Sequence, residues 1–583
     1  MRLLPLACLL GGLAASTASA QTAEPDRTPE DTIAITAQQA GQAAHFMVAA
    51  ANPLAVEAGF SVLEAGGTAA DAAIAVQLVL NLVEPQSSGL GGGAFVLYYD
   101  AASGRLTTYD ARETAPLAAG GDLFLDAAGE PLGFWDAVVG GRSVGTPGTP
   151  RLLEVLHANH GRTPWADLFQ PAIALAEDGF PVGMRLAGTL AGARGAALAQ
   201  SATAADYFFP GGAALAAGDR VQNPAFAETL RALAADGADA FYAGPLAEAI
   251  VAAVTSHPTN PGLLALDDLA AYQVIERPAV CLPYRAYEVC GMGPPSSGGL
   301  TVGQMLGLLE HFDMASLGPS DADAWHLFAE AGALAFADRN RYMADADFVR
   351  MPQGLLDPAY LTIRAQAIDL DATLPRPVAP GNPPWREAAA WSDDASQERP
   401  GTSHIAIIDG EGNALSMTTT IESAFGSTLM VGGFLLNNEL TDFSFSPEVD
   451  GRPVANRVEP GKRPRSSMAP TIVFDADGGV RLVVGSPGGS RIIAYVARVV
   501  VSVLDWGFDI QTAISQPNVA DRNGAIDLED ATEITALAPA LEARGHEVSL
   551  RDLNSGLHGI EVLPDGTLRG GADPRREGTV HGD

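Results

Sequence analysis

The sequence predicts an α+β protein with a large packed core, and three observations carry that reading. Of 583 residues, 47% are hydrophobic and only 18% are charged, a balance that excludes a disordered chain. The first half opens on a helix pair over residues 53–83 and continues with alanine-rich helical patterns. The second half carries strand-like runs folded about glycine-containing turns, as in β-hairpins. The length suits several ordinary domains or one large layered one.

The first twenty residues read as an export signal. Arg2 gives a positive start, residues 3–13 a near-continuous apolar run, and Ala18-Ser19-Ala20 a cleavage site before Gln21. The run is too short to span a bilayer, and no later stretch reaches that length; residues 72–83, interrupted by Gln77 and Asn81, read as a buried helix. A mature chain from Gln21 to Asp583, periplasmic or secreted, is expected. The net charge of −35 repels phosphate backbones and argues against nucleic acid as a partner. No Cys/His cluster has metal-ligand spacing, so neither a metal nor an organic cofactor is expected.

Residues 21–44 are polar and read as a loose leader. Asn52-Pro53 starts a helix that Gly66-Gly67 stops, and Thr68 with Asp71 caps the next, which runs to about Val83. The glycine loop at residues 89–93 precedes a strand at 94–99. A phosphate-binding loop needs a helix there, so nucleotide binding is rejected. Residues 150–275 read as mostly helical, and residues 292–299 as a rigid turn before another helix. Cys281 and Cys290 flank a hairpin tip turning near Tyr284-Arg285. That placement permits a disulfide in an oxidising compartment, with two unpaired strand thiols as the alternative. Residues 376–401, rich in proline and polar groups, read as an exposed, flexible segment ending at Gly401.

Two hairpins follow. Pairing residues 402–408 and 414–420 symmetrically about Glu411 sets Thr402 against Thr420. The second joins residues 471–475 to 480–484, and extending its register brings Ser466 and Ser467 towards Gly488 and Gly489. Cutting the Gly401–Thr402 bond would give Thr402 a free α-amine, with an ordinary pKa of about 8, beside its own hydroxyl. A threonine with its own N-terminal amine is an established nucleophile pair. Taken alone, the residue reads as an ordinary strand threonine.

Several segments, in order along the chain, resemble the γ-glutamyltransferase family. In the first half they are residues 64–73, the 89–93 loop, Asp110-Ala111-Arg112-Glu113-Thr114-Ala115-Pro116, Gly145-Thr146-Pro147-Gly148 and the 294–299 turn. In the second half they are Thr402-Ser403-His404, Leu435-Leu436-Asn437-Asn438, residues 463–468 and residues 485–491. The resemblance implies a four-layer αββα sandwich of N-terminal nucleophile hydrolase type and self-cleavage before Thr402. It implies a large subunit over 21–401 and a small one over 402–583, held together by one shared core. By the same resemblance Thr402 is the nucleophile, Thr420 orients it, and Gly488 and Gly489 form the oxyanion hole. Arg112, Ser466 and Ser467 hold a substrate α-carboxylate, and Glu439 and Asp442 its α-ammonium.

Two departures modify this picture. Glu422 stands where the best-known transferases have asparagine, which sets three carboxylates around one ammonium, and like charges that close raise a pKa. Residues 443–462 are shorter than the lid of many relatives and hold no tyrosine, which predicts a more open site and favours hydrolysis over transfer. The leading expectation is therefore a hydrolase or transferase of γ-glutamyl amides such as glutathione. A glutaryl or cephalosporin acylase of the same family is the alternative, and a non-catalytic binding scaffold the third reading.

Overall fold

The computed structural model describes residues 32, 35–384, 391–394, 396, 399 and 401–583. The export signal and its cleavage site lie outside the described residues. Two seven-stranded antiparallel sheets face each other. One runs in the order 579–582, 47–50, 402–408, 414–420, 93–100, 105–111, 275–277; the other runs 41–43, 568–572, 558–562, 480–485, 471–474, 287–291, 280–284. Each sheet thus draws strands from both sides of residue 402.

Strand alternation builds the four layers. Ile405 and Ile407 point to an apolar cluster shared with the helices Pro53–Glu64 and Ala69–Val83. Ala406 and Ile408 point the other way, into a cluster shared with Ile472, Val483 and the helices Gly298–Leu309 and Ile492–Leu504. The layers are therefore helix, sheet, sheet, helix. Asn52 caps the first helix, and Thr68 and Asp71 form a reciprocal capping box on the second, whose residues are all buried. Among the described residues no helix is long and apolar enough to cross a membrane.

Both sequence registers place the strand ends that matter. Thr402 pairs with Thr420 through to Ile408 with Ala414. Asp409 fixes the turn by accepting the backbone N–H groups of Glu411 and Asn413, both at 3.0 Å. In the second hairpin Thr471 pairs with Val484, and a bulge near Phe474 shifts only its far end. Cys281 pairs with Cys290, and a disulfide joins them. The glycine loop at 89–93 is a packing device. A Cβ on Gly92 would lie 1.9 Å from the Thr420 carbonyl oxygen, so only glycine lets this loop close on the strand end.

Among the described residues of 376–401, several are exposed as expected, but a few are anchored. Arg376 pairs with Glu330 and Asp521 at 2.7 and 3.1 Å. Ser392 and Asp394 are buried, and Asp394 pairs with Arg465 at 2.9 Å. Arg376 and Asp394 thus find partners distant in sequence.

Candidate active site

Thr402 opens its strand with 3% exposure. The Thr420 hydroxyl donates to the Gly401 carbonyl at 2.7 Å and accepts the Glu422 backbone N–H at 2.8 Å. Its single proton is therefore committed to Gly401, so the Thr402 hydroxyl, 3.5 Å away, is the donor between the two. Glycine is required at 401: a Cβ there would lie 2.0 Å from the Glu422 carbonyl oxygen. Glu422 itself takes a left-handed backbone, φ 73°, a strained choice for a non-glycine residue.

A cavity of about 20 Å³ in front of Thr402 brings together Thr420, Arg112, Glu422, Glu439, Asp442, Ser466, Ser467 and Gly489. Gly488 lies just outside this lining, before the turn Gly489–Arg491 that enters the helix Ile492–Leu504. Arg399, Met468 and Ile492 complete the wall. In the uncut chain the free volume in front of Thr402 is therefore small, with room for about one water-sized group. Arg399 is held in this wall: its backbone N–H donates to Glu422 at 3.2 Å, and its guanidinium lies 4.3 Å from the Phe134 ring centre.

Arg112 is the hub of the charges of the site. The two arms of the buried Arg112 guanidinium donate to Glu439 and to Asp442. Further bonds go to the carbonyls of Pro464 at 3.2 Å and Arg465 at 3.0 Å. Burial works against the Arg112 cation, yet Glu439, Asp442 and Glu113 hold its pKa above the ordinary value. Burial pushes the Glu439 carboxyl well up; Arg112 offsets this in part, and the carboxylates of Glu113, Asp442 and Glu422 add to it. Burial also raises Glu422, against hydrogen bonds from Ser423, Asn438 and Arg399. Glu113, packed behind Arg112, is pushed by burial up to about 7. Beside the three carboxylates expected from the sequence, Glu113 is thus a fourth; Glu439, Asp442 and Glu113 surround the Arg112 guanidinium, and Glu422 faces Asn438 and Arg399.

Ser466 and Ser467 are held from the opposite helical layer. Ser297 donates to the Ser466 carbonyl at 2.7 Å. Arg339 donates to the Ser467 hydroxyl at 2.7 Å and to the Ser297 hydroxyl at 2.9 Å.

Residues 55–582 match the family model described as Gamma-glutamyltranspeptidase. The chain belongs to that enzyme family. It is 37% identical to the glutathione hydrolase proenzyme of Escherichia coli (strain K12), over 99% of this chain and 97% of that one. It is 35% identical to the acylase ACY 1 proenzyme of Pseudomonas sp. (strain SE83), over 91% of this chain and 92% of the relative. Its fold superposes on a cephalosporin acylase from Bacillus halodurans with a TM-score of 0.83, at 28% identity and covering 94% and 97% of the two chains.

Within this gamma-glutamyltranspeptidase frame, several residues at the site escaped sequence reasoning. Arg339 sits in a long helix with no local signal. Arg399 lies in the segment read as flexible, and Glu113 appears in the sequence only as part of the 110–116 motif. Arg576, whose guanidinium donates to the Thr402 carbonyl at 3.3 Å, lies far along the chain in an unremarked Arg575-Arg576 pair. Away from the site, His326, Glu330 and His546 cluster closely enough to hold a cation. Their atoms are already committed: His326 bonds His546 and the Asp369 carbonyl, each at 2.7 Å, and Glu330 accepts from Thr373 at 2.6 Å and Arg376 at 2.7 Å.

Proposed function

We propose that the chain is an exported proenzyme that cuts itself between Gly401 and Thr402. It would then hydrolyse γ-glutamyl amides such as glutathione, with transfer to an amine as the lesser reaction. The observation that carries this reading is the contact of Thr402, Thr420 and the Gly401 carbonyl at one end of a cavity whose other wall is Arg112 with its carboxylates. The large fragment would end at Gly401 and the small one begin at Thr402. Because both sheets mix strands from the two sides, the fragments would stay together.

In self-cleavage the Thr402 hydroxyl adds to the Gly401 carbonyl that Thr420 polarises, the bond from that carbon to the Thr402 nitrogen breaks as the nitrogen takes up the hydroxyl proton, and water hydrolyses the resulting ester to the Gly401 carboxylate and the free Thr402 hydroxyl. Cutting removes that carbonyl from the Thr420 hydroxyl, whose proton is then free to turn to Thr402. In turnover the Thr402 amine accepts its hydroxyl proton as the oxygen attacks the donor's γ-carbonyl. The backbone N–H groups of Gly488 and Gly489 take the developing oxyanion, and the amine returns the proton to the leaving nitrogen. Water then repeats the sequence and frees the acid. The donor's zwitterionic head replaces the internal pairing: its carboxylate takes Arg112, Ser466 and Ser467, and its ammonium takes Glu422, Glu439 and Asp442. The mature site is measured by release of the chromophore from a γ-glutamyl anilide, with and without glycylglycine. No release by the processed protein would sink the proposal, and stimulation by the dipeptide would rank transfer above hydrolysis.

The acylase reading is favoured by the likeness to the cephalosporin acylase and to ACY 1. A glutaryl donor lacks the α-ammonium, so it would leave Glu422, Glu439 and Asp442 without their cation. Preference for glutaryl over γ-glutamyl donors would decide for it.

A further inference from the structure

We propose that Arg576 is a positioning residue for the nucleophile, gripping Thr402 by its carbonyl so that amine and hydroxyl stay aligned after the chain is cut. The inference rests on the reading of Thr402 as nucleophile. It begins from an asymmetry in the sheet. The strand Thr402–Ile408 pairs along its whole length with Ala414–Thr420, but with Met47–Ala50 only from Ile405 onward. On that second edge the ladder therefore stops three residues short of Thr402. Arg576 takes up the Thr402 carbonyl, Nη1 to oxygen 3.3 Å. Once the Gly401–Thr402 bond is gone, Thr402 is a chain end, and chain ends fray unless tied down. A grip on its carbonyl restrains the residue without occupying either reacting group.

Arg576 is built to hold that position. It is 5% exposed, and its Nε donates to Asn554 at 2.8 Å. Gly556 borders its track so closely that a Cβ there would lie 2.4 Å from the Arg576 Cδ and 2.8 Å from the Pro487 Cγ. Pro487 immediately precedes Gly488 and Gly489. Asp573 fixes this platform, accepting the backbone N–H groups of Gly556 at 2.7 Å, Leu557 at 3.0 Å and Arg575 at 2.9 Å. Residues 554–557 and 573–576 thus abut both the nucleophile and the loop that carries the oxyanion glycines, and Arg576 is the member that reaches the nucleophile.

The test compares Arg576→Gln, Arg576→Lys and Arg576→Ala with wild type, reading self-cleavage on a denaturing gel and steady-state kinetics on a γ-glutamyl anilide. The donor-binding groups lie elsewhere, so Arg576→Gln should lower kcat by roughly 10-fold or more and leave KM within about two-fold. Lysine reaches one acceptor but not both, and Arg576→Lys should fall between. Guanidinium at a non-denaturing concentration should restore part of the Arg576→Ala rate and leave wild type unchanged, an effect that general loss of stability cannot produce. If Arg576→Gln does not accumulate, Arg576→Lys and the rescue decide. Wild-type kcat in Arg576→Gln, a change in KM alone, or absence of rescue would overturn the inference. Turnover by Thr402→Ala would instead sink the underlying assignment of the nucleophile.

Discussion

Replacing Glu422 with glutamine tests how the site would choose its donor. Glu422 is buried, and its side chain accepts the Arg399 backbone N–H at 3.2 Å and a hydrogen bond from Asn438. Glutamine keeps the shape and removes the charge. A hydrogen bond to a charged group is worth about 1.5–3 kcal/mol, or roughly 10- to 150-fold in kcat/KM. Only a donor with an α-ammonium can lose that interaction. Glu422→Gln should therefore lower kcat/KM for a γ-glutamyl anilide by that factor and leave a glutaryl anilide within about three-fold, since that donor brings no cation to Glu422. A pH series adds a second check. Burial raises the Glu422 carboxyl, so its charge is lost as pH falls through a value above the ordinary carboxylate range. The wild-type preference for γ-glutamyl over glutaryl should narrow towards acid pH, while that of the variant should vary less. Equal loss on both donors would refute the role given to Glu422.

Three further outcomes follow from the same geometry. Thr420→Val, which keeps the shape and loses the proton donated to Gly401, should slow self-cleavage by roughly 10- to 100-fold, read as persistence of the full-length band. His558 is buried, and burial is the main cause that lowers its pKa from 6.5 to about 4; His404, buried nearby, is also held well below its ordinary value. The unfolded chain takes up these protons near pH 6.5 and the folded chain does not, so stability falls as pH drops from 6.5 towards 4. His558 alone accounts for about 1.6 kcal/mol between pH 6.5 and 5, and urea unfolding of His558→Gln should lose that much less than wild type over this interval. Removing the disulfide by Cys281→Ser with Cys290→Ser should lower stability by about 2–3 kcal/mol in urea without changing kcat, because the bridge lies in a hairpin remote from Thr402.

The parts of the molecule legible in the sequence are those fixed by short-range chemistry. The turn at residues 409–413 sets its own register, so the meeting of Thr402 and Thr420 follows from counting outward. The helix pair is written in its caps, and the cysteine hairpin in its turn. The charge network was not legible. That Arg112 binds Glu439 and Asp442 depends on bringing together segments more than three hundred residues apart, and no local pattern encodes it. Arg339, Arg399 and Arg576 escaped for the same reason, since an arginine in a helix, a proline-rich segment or a C-terminal turn gives no hint of what its guanidinium reaches. Within the described part of 376–401, Arg376 and Asp394 were not legible as anchored residues, because a polar composition signals exposure only when its partners are water.

The account turns on the bond before Thr402, and N-terminal sequencing of the smaller fragment from active protein tests it most directly. A fragment beginning Thr402-Ser403-His404, absent from Thr402→Ala, is the expected result. Full activity in a single unbroken chain, or a new N-terminus at any other residue, would contradict it.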